Sequence, residues 1–434
     1  MKNKIVALII LLFIGVNGFA QDVLTPEQAV EIALKNNYDI LIARNNATIA
    51  DKNNTPGNAG MLPSVGITVG DNFNLNNINQ EFTDGRTVVQ NSVQSNSANA
   101  ALVLNWTIFD GLRMFATKRR LAIIEQVGEI NFKQQVQNSV GDVLTAYYDI
   151  VRQKQQINFT GELIKISEER VKIADSKFNV GATGKSELLQ AKVDLNATRA
   201  LQMNQRNILK QTKATLNQLL AREVTTEFDV NDSIPLIAQP TFAELTTAAT
   251  TGNLDVQVGQ KSILIAQQVK REAAAARWPL IGVNAGYNFA NTQNQAGFQL
   301  FNRTYGLGVG FTASIPIFNG FNVNRTVKVA NIEISSRNLD LENIKLKINQ
   351  RLVSAYSNWT YGQEVLKLEE DNIKLAKENV DIAVERLKLG QFTSLELRDA
   401  QNSYQDALYR LTAARYNAKV AEIELQKLIG TLVK

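Results

Sequence analysis

The side chains best placed for chemistry in this 434-residue chain are acids that follow two glycines. Glu396 and Asp399 are three residues apart, so a helix sets them on one side, just past Gly390. Glu187 holds the matching place after Gly181. The same spacing has a structural use. Thr393-x-x-Glu396 is a capping box, and acids near a helix N-terminus suit its dipole. On spacing alone, capping takes precedence over function.

Other motifs stop short. Gly184-Lys185-Ser186 resembles the end of a phosphate-binding loop, but that loop needs glycine where Asn179 stands and a strand where a helix is expected. Gly306, Gly308 and Gly310 alternate along one strand face, which a crowded interior explains better than a dinucleotide fingerprint. The chain has no histidine and no cysteine. That removes the commonest base, thiol chemistry, disulfides and cysteine-rich metal sites. Only four methionines remain as soft ligands. No enzyme, cofactor or metal site is expected. Net charge is +5, with cations dispersed among acids along helical faces, so no nucleic-acid partner is expected either.

The elements that carry these residues are written twice. Phe109, Gly111, Tyr147, Gly181, Glu187 and Leu216 recur as Phe318, Gly320, Tyr356, Gly390, Glu396 and Leu425, at a constant offset of 209. Upstream, Thr25, Asn37, Asp39 and Pro63 recur as Thr241, Asn253, Asp255 and Pro279, at an offset of 216. So long a repeat is one large structural unit used twice. The expected organisation is a secretory signal over 1–20, a first repeat over 21–220, a linker over 221–240 and a second repeat over 241–434. The signal reading rests on Lys2 and Lys4 before an apolar run from Ile5 to Val16, then Gly18-Phe19-Ala20.

Each repeat reads as a helix (about 25–60 and 241–277), a β-hairpin (about 63–108 and 280–317) and a long helical hairpin (about 111–220 and 320–430). Proline is absent from 64 to 234 and from 317 to 434. Near-continuous helix of roughly 100 Å is therefore expected from Leu112 to Phe178, with Gly128, Gly141 and Gly161 weakening it without breaking it. In the last helix Leu397, Ala400, Tyr404, Ala407, Leu411, Ala414, Ala418, Ala421, Leu425 and Leu428 step by three and four, a coiled-coil seam. The first copy keeps Leu188, Ala191, Leu195, Leu209, Leu216 and Leu219, with Gln202 and Gln205 between them.

The four strands, read as about ten residues each, are apolar on one face and small or polar on the other. Val65, Ile67, Val69, Phe73 and Leu75 alternate with Gly66, Thr68, Gly70 and Asn72, for example. This is the pattern of a transmembrane β-barrel, with polar loops at about 76–97 and 291–302. Four strands cannot close a barrel, and an open edge in lipid leaves backbone groups unpaired. Strands from several copies must join: two copies give eight strands, three give twelve.

The run Arg386-Leu387-Lys388-Leu389-Gly390-Gln391-Phe392-Thr393-Ser394-Leu395-Glu396-Leu397-Arg398-Asp399-Ala400-Gln401, its first-copy counterpart through Gly181 to Ala191, and the doubling resemble the TolC-like outer-membrane efflux protein family over the mature chain. The resemblance implies a mainly α protein with transmembrane β structure. It implies a homotrimer with a twelve-stranded β-barrel in the outer membrane, continuous with a twelve-helix α-barrel in the periplasm, the linker lying in its equatorial region. It further implies a passive exit duct of a tripartite efflux pump or type I secretion system. An inner-membrane transporter of the RND or ABC type would supply the energy. A periplasmic adaptor would dock near the tip turns at Gly181, Gly184, Gly390 and Thr393. By the same resemblance Glu396 and Asp399 ring the periplasmic gate, six carboxylates in a trimer. Like charges about 6 Å apart repel by up to roughly 3 kcal/mol at an effective dielectric of 20, which favours bound cations or retained protons. Glu187 matches an acid that ties the closed state, but its usual basic partner is replaced by Phe392, leaving Arg398 or Lys185 as substitutes. The alternative is a periplasmic adaptor protein of the same kind of pump, which would carry one helical hairpin between compact β domains.

Overall fold

The computed structural model describes residues 23–297 and 299–433; the signal expected at 1–20 lies outside the described residues. In chain order the elements are β1 (Val23–Leu24), α1 (Pro26–Asn36), α2 (Tyr38–Asn53), β2 (Ser64–Glu81), β3 (Thr87–Asp110), α3 (Arg113–Asn179) and α4 (Lys185–Leu219). Then come β4 (Asp229–Val230), α5 (Phe242–Gly252), α6 (Leu254–Ala275), β5 (Leu280–Asn294), β6 (Phe301–Ser314), α7 (Asn322–Lys388) and α8 (Ser394–Leu428). Contacts divide them into two compact units. One comprises Asn46–Ile130 and Val258–Glu342; the other comprises the residues up to Asn45, Asn131–Gln257 and those from Asn343 onward.

The first unit holds a four-stranded antiparallel sheet in the order β2-β3-β5-β6. Its register stacks like with like. Ile67 faces Leu102, Leu102 faces Tyr287 and Tyr287 faces Leu307; Val65, Leu104, Ala285 and Val309 form the next row. These rows leave a broad apolar face uncovered, with Val69 79% and Leu307 74% exposed. The edges of β2 and β6 have no strand partner among the described residues.

The strands are longer than the ten residues expected: β2 has 18 and β3 has 24. Their ladder runs on to Glu81 opposite Thr87, so most of the stretch expected as a loop at 76–97 is strand. Beyond Asn76 the apolar alternation fades, yet main-chain pairing needs no apolar face, so the ribbon continues with polar side chains. Crowding at the strand glycines is also local. A Cβ on Gly310 would stand 2.9 Å from the Asn284 side chain, whereas Gly306 and Gly308 have nothing within 4 Å.

In the helical unit the seam of α8 is buried at all ten positions from Leu397 to Leu428. Helices α3 and α7 each run 67 residues, and α4 and α8 each run 35. Both members of each pair start and stop at an offset of 209, as Arg113 against Asn322 and Leu219 against Leu428 show. The leading helix expected as one piece is two. Asn37 and Asn253 break it, each accepting on Oδ1 from the amides two and three residues on. Each also donates from Nδ2 to a helix-end carbonyl, Leu219 at 2.7 Å and Leu428 at 2.9 Å. An asparagine that caps forward and binds backward satisfies groups a continuing helix would leave unpaired.

The linker is not structureless either. β4 pairs in parallel with β1, and buried Tyr147 donates to the Leu24 carbonyl at 2.8 Å while accepting from the Asn231 amide at 3.3 Å. Burial pushes the Tyr147 hydroxyl pKa up, against the opposing Asn231 bond.

One difference between the copies bears on assembly. Along α7, Ile332, Leu339, Leu346, Val353, Tyr361, Leu368, Leu375, Ile382 and Leu389 recur about every seven residues, and all are exposed. The same track on α3 carries Phe159, Ile166 and Ile173, half-buried against the cluster of Val380, Ala383, Leu387 and Leu397. From Phe159 to Ile173 the α3 track is covered within the chain; the matching α7 stretch from Leu368 to Ile382 is bare.

Candidate functional site

The site lies at the two tip turns of the helical unit. Gly181 and Gly390 adopt φ of +73° and +72°, a left-handed conformation that glycine enters without Cβ strain. Each ends its long helix in the same way. The Gly181 and Ala182 amides bond Phe178 and Lys177 carbonyls, and the Gly390 and Gln391 amides bond those of Leu387 and Arg386.

The return helices then start differently, and the N-cap residue decides the difference. Thr393 caps α8 with a complete capping box. Its hydroxyl accepts from the Glu396 amide at 3.2 Å, and the Glu396 carboxylate accepts from the Thr393 amide at 2.7 Å. That amide, then the Thr393 hydroxyl, lowers the Glu396 pKa below its usual range. At the matching place on α4 stands Gly184, which has no side chain to offer. Glu187 therefore has no box to close. Its carboxylate accepts from the Thr183 hydroxyl and, across to the other hairpin, from the Ser394 hydroxyl. The Ser394 bond first, then Thr183, holds the Glu187 carboxyl below its ordinary range.

A cavity of about 170 Å³ adjoins this contact, lined by Arg170, Glu187, Asp194, Ser394 and Arg398 among others. Arg170 is 2% exposed. Its guanidinium donates to the Asp194 carboxylate on α4 and, at 3.2 Å, to Gln401 Oε1 on α8. Arg170 Nε and Gln401 Nε2 are buried without a hydrogen-bond partner. One buried charge from α3 thus ties both return helices, and removing either acceptor would leave it under-compensated. The expected acid pair is not drawn together as a cluster. Glu396 is occupied by its cap, and the exposed Asp399 carboxylate makes no hydrogen bond among the described residues.

Opposite Glu187 the second hairpin presents a hydroxyl. Neither Lys185 nor Arg398 pairs with Glu187 among the described residues; the partner is the neutral Ser394. Phe392 packs on the core shared by α3, α7 and α8, with the Arg386 guanidinium 5.5 Å from its ring centre. Sequence reasoning missed Ser394, Arg170, Asp194 and Gln401. A signal for Arg170 existed: it sits between Leu163 and Ala174, two buried positions of one apolar track. No group of three or more acids stands close enough to hold a metal ion among the described residues, and no described helix is long and apolar enough to cross a membrane.

The sequence pattern of the family described as Outer membrane efflux protein matches residues 29–222 and 245–431. Outer membrane protein TolC of Escherichia coli (strain K12) is 22% identical over 79% of this chain and 71% of its own length. Outer membrane efflux protein BepC of Brucella suis biovar 1 (strain 1330) is 22% identical over 92% of this chain and 84% of its own. Among solved structures, the Campylobacter jejuni CmeC outer membrane channel aligns with a TM-score of 0.76 at 18% identity, covering 94% of this chain and 85% of that one. The outer-membrane channel OprN aligns at 0.77 and 16% identity, covering 93% and 89%. At such identities the structures show a shared fold. The family pattern spans both halves, and the chain belongs to the outer membrane efflux protein family, an efflux channel of the outer membrane.

Proposed function

We propose that this chain forms a homotrimer whose three sheets close one twelve-stranded barrel and whose helical hairpins make a twelve-helix tunnel. The channel would be a passive exit duct, opened at its tips by a periplasmic adaptor and powered by an inner-membrane transporter. The observation that carries the reading is the bare stripe on α7. Its twin on α3 is covered by the second hairpin of the same chain, so the uncovered stripe calls for the first hairpin of another copy. Repeating that contact head to tail closes a ring, and the unpaired β2 and β6 edges require the same operation. Burying the nine exposed apolar side chains of the stripe would contribute about 15–25 kcal/mol per interface, more than the roughly 4–15 kcal/mol that association costs.

In this reading the turns at Gly181, Gly184, Gly390 and Thr393 meet the adaptor, and Glu396, Asp399 and Glu187 stand at the periplasmic gate. Because the chain has no cysteine, introduced thiols are unambiguous probes. Ile67→Cys on β2 and Val309→Cys on β6 should crosslink into trimers that migrate as such until boiled, and the purified trimer should conduct ions in planar bilayers. Monomers without conductance would refute the proposal.

A further inference from the structure

We infer that the strand-to-helix junctions form a collar that binds acidic phospholipid headgroups in the leaflet facing the helices. The inference rests on the membrane-barrel reading and adds a lipid preference to it.

Three junctions meet in the strand-bearing unit. A Cβ on Gly111 would stand 2.3 Å from the Ala275 carbonyl oxygen and 2.8 Å from Trp278 Cβ, so the β3–α3 turn lies against the α6–β5 turn. Arg277 donates to Asn324 Oδ1 at 3.1 Å, bringing in the start of α7. Apolar side chains crowd outward here: Leu112, Phe115, Trp278, Phe318 and Phe321 are exposed, and Ile317 is 98% so. Phe318 and Phe321 meet edge to face at 5.4 Å. Aromatic side chains of this kind settle at the boundary between hydrocarbon and headgroups.

Cations follow close behind. On α3, Phe115 and Arg119 fall at i and i+4; on α7, Arg325 and Lys328 fall at i and i+3, in the first two turns after Phe321. Arg119, Arg325 and Lys328 are exposed, and none forms an ion pair among the described residues. Two acids near the junctions are engaged elsewhere: Asp110 accepts from the Met114 amide and Glu272 pairs with Arg120 at 2.7 Å. The four residues from Phe115 to Arg119 rise about 6 Å, comparable to the depth of the headgroup layer at one face of a bilayer. Apolar side chains at the hydrocarbon edge would thus set unpaired cations at phosphate level, where each attracts anionic lipid.

The test uses the full purified chain in nanodiscs of mixed phosphatidylcholine and phosphatidylglycerol, with retained lipid read by native mass spectrometry. Wild type should retain phosphatidylglycerol preferentially. Arg119→Gln with Lys328→Gln should lower that retention about fivefold per cation removed. Lys172→Gln, an exposed lysine far along α3, should not change it. Equal retention of both lipids by wild type, or full retention by the double variant, overturns the inference. In matched nanodiscs that also carry lipid A, retention of lipid A in place of phosphatidylglycerol would put the cations in the other leaflet and overturns it as well. Conductance of the same sample separates the failures: a conducting channel without preference sinks only the collar, whereas a sample that never conducts sinks the channel reading too.

Discussion

Ser394→Ala should loosen the closed tip, because Ser394 is the only tie from Glu187 to the second hairpin among the described residues. A hydrogen bond to a charged group is worth about 1.5–3 kcal/mol, and screening at this half-buried place reduces it to about 1 kcal/mol. That is roughly a fivefold shift per protomer, and about a hundredfold if three hairpins open together. The pH dependence follows from the sign of the shift. The folded Glu187 pKa is depressed, so the tie is fully present above the ordinary value of 4.5 and is lost as pH falls through the depressed one. Single-channel recording at neutral pH should show a larger conducting fraction for Ser394→Ala, Ser394→Thr should keep closure, and acidification through the depressed Glu187 pKa should open wild type while leaving Ser394→Ala unchanged. Glu187→Gln tests the coupling. If Ser394→Ala conducts as wild type, or if the two substitutions act additively, the bond does not hold the gate.

Glu396→Ala with Asp399→Ala should lower cation selectivity and block by multivalent cations in planar bilayers, since both acids are exposed at the proposed mouth. Unchanged selectivity would remove them from the gate. Asn253→Ala should cost about 2–3 kcal/mol in thermal or urea unfolding, because a buried side chain loses its bonds to the Leu428 carbonyl and to the amides of Asp255 and Val256. Asn37→Ala should cost a similar amount for the same reason, and a cost below 0.5 kcal/mol at both sites would refute the cap assignment.

Periodicity made the coiled-coil seam legible, and every residue named from Leu397 to Leu428 is buried. The glycine turns and the Thr393 box were equally legible, since they depend on neighbours in sequence. What escaped depends on partners far along the chain. The polar ribbon beyond Asn76 is held by its main-chain ladder, which leaves no side-chain period. The split at Asn37 makes sense only when Leu219 is its neighbour, 182 residues away. The resemblance pairs Glu187 with a cation; within this chain its carboxylate accepts from the Ser394 hydroxyl at a helix start, a partner 207 residues away. Gln205, which interrupts the first-copy seam, is buried and donates to the Tyr409 hydroxyl at 2.5 Å. That partner, which no local pattern announces, satisfies Nε2, while Gln205 Oε1 stays buried without a hydrogen-bond partner.

The unequal jobs of Glu187 and Glu396 follow from one missing side chain, and that can be reversed. Gly184 has φ −79° and ψ 153°, which any residue adopts, and a Cβ there would meet only the Ser186 hydroxyl at 3.6 Å. Gly184→Thr should therefore give α4 the cap that Thr393 gives α8, stabilising the protein by about 0.5–1 kcal/mol, a few tenths from the cap and the rest from the freedom glycine has in the unfolded chain. The new hydroxyl and amide would draw the Glu187 carboxylate home, away from Ser394. Stability and closure should then move in opposite directions: a higher melting temperature together with a leakier channel. A generic tightening of the tip predicts the reverse for conductance, and a Gly184→Thr channel that is both more stable and as tightly closed as wild type would show that Glu187 holds Ser394 for some reason other than the absent cap.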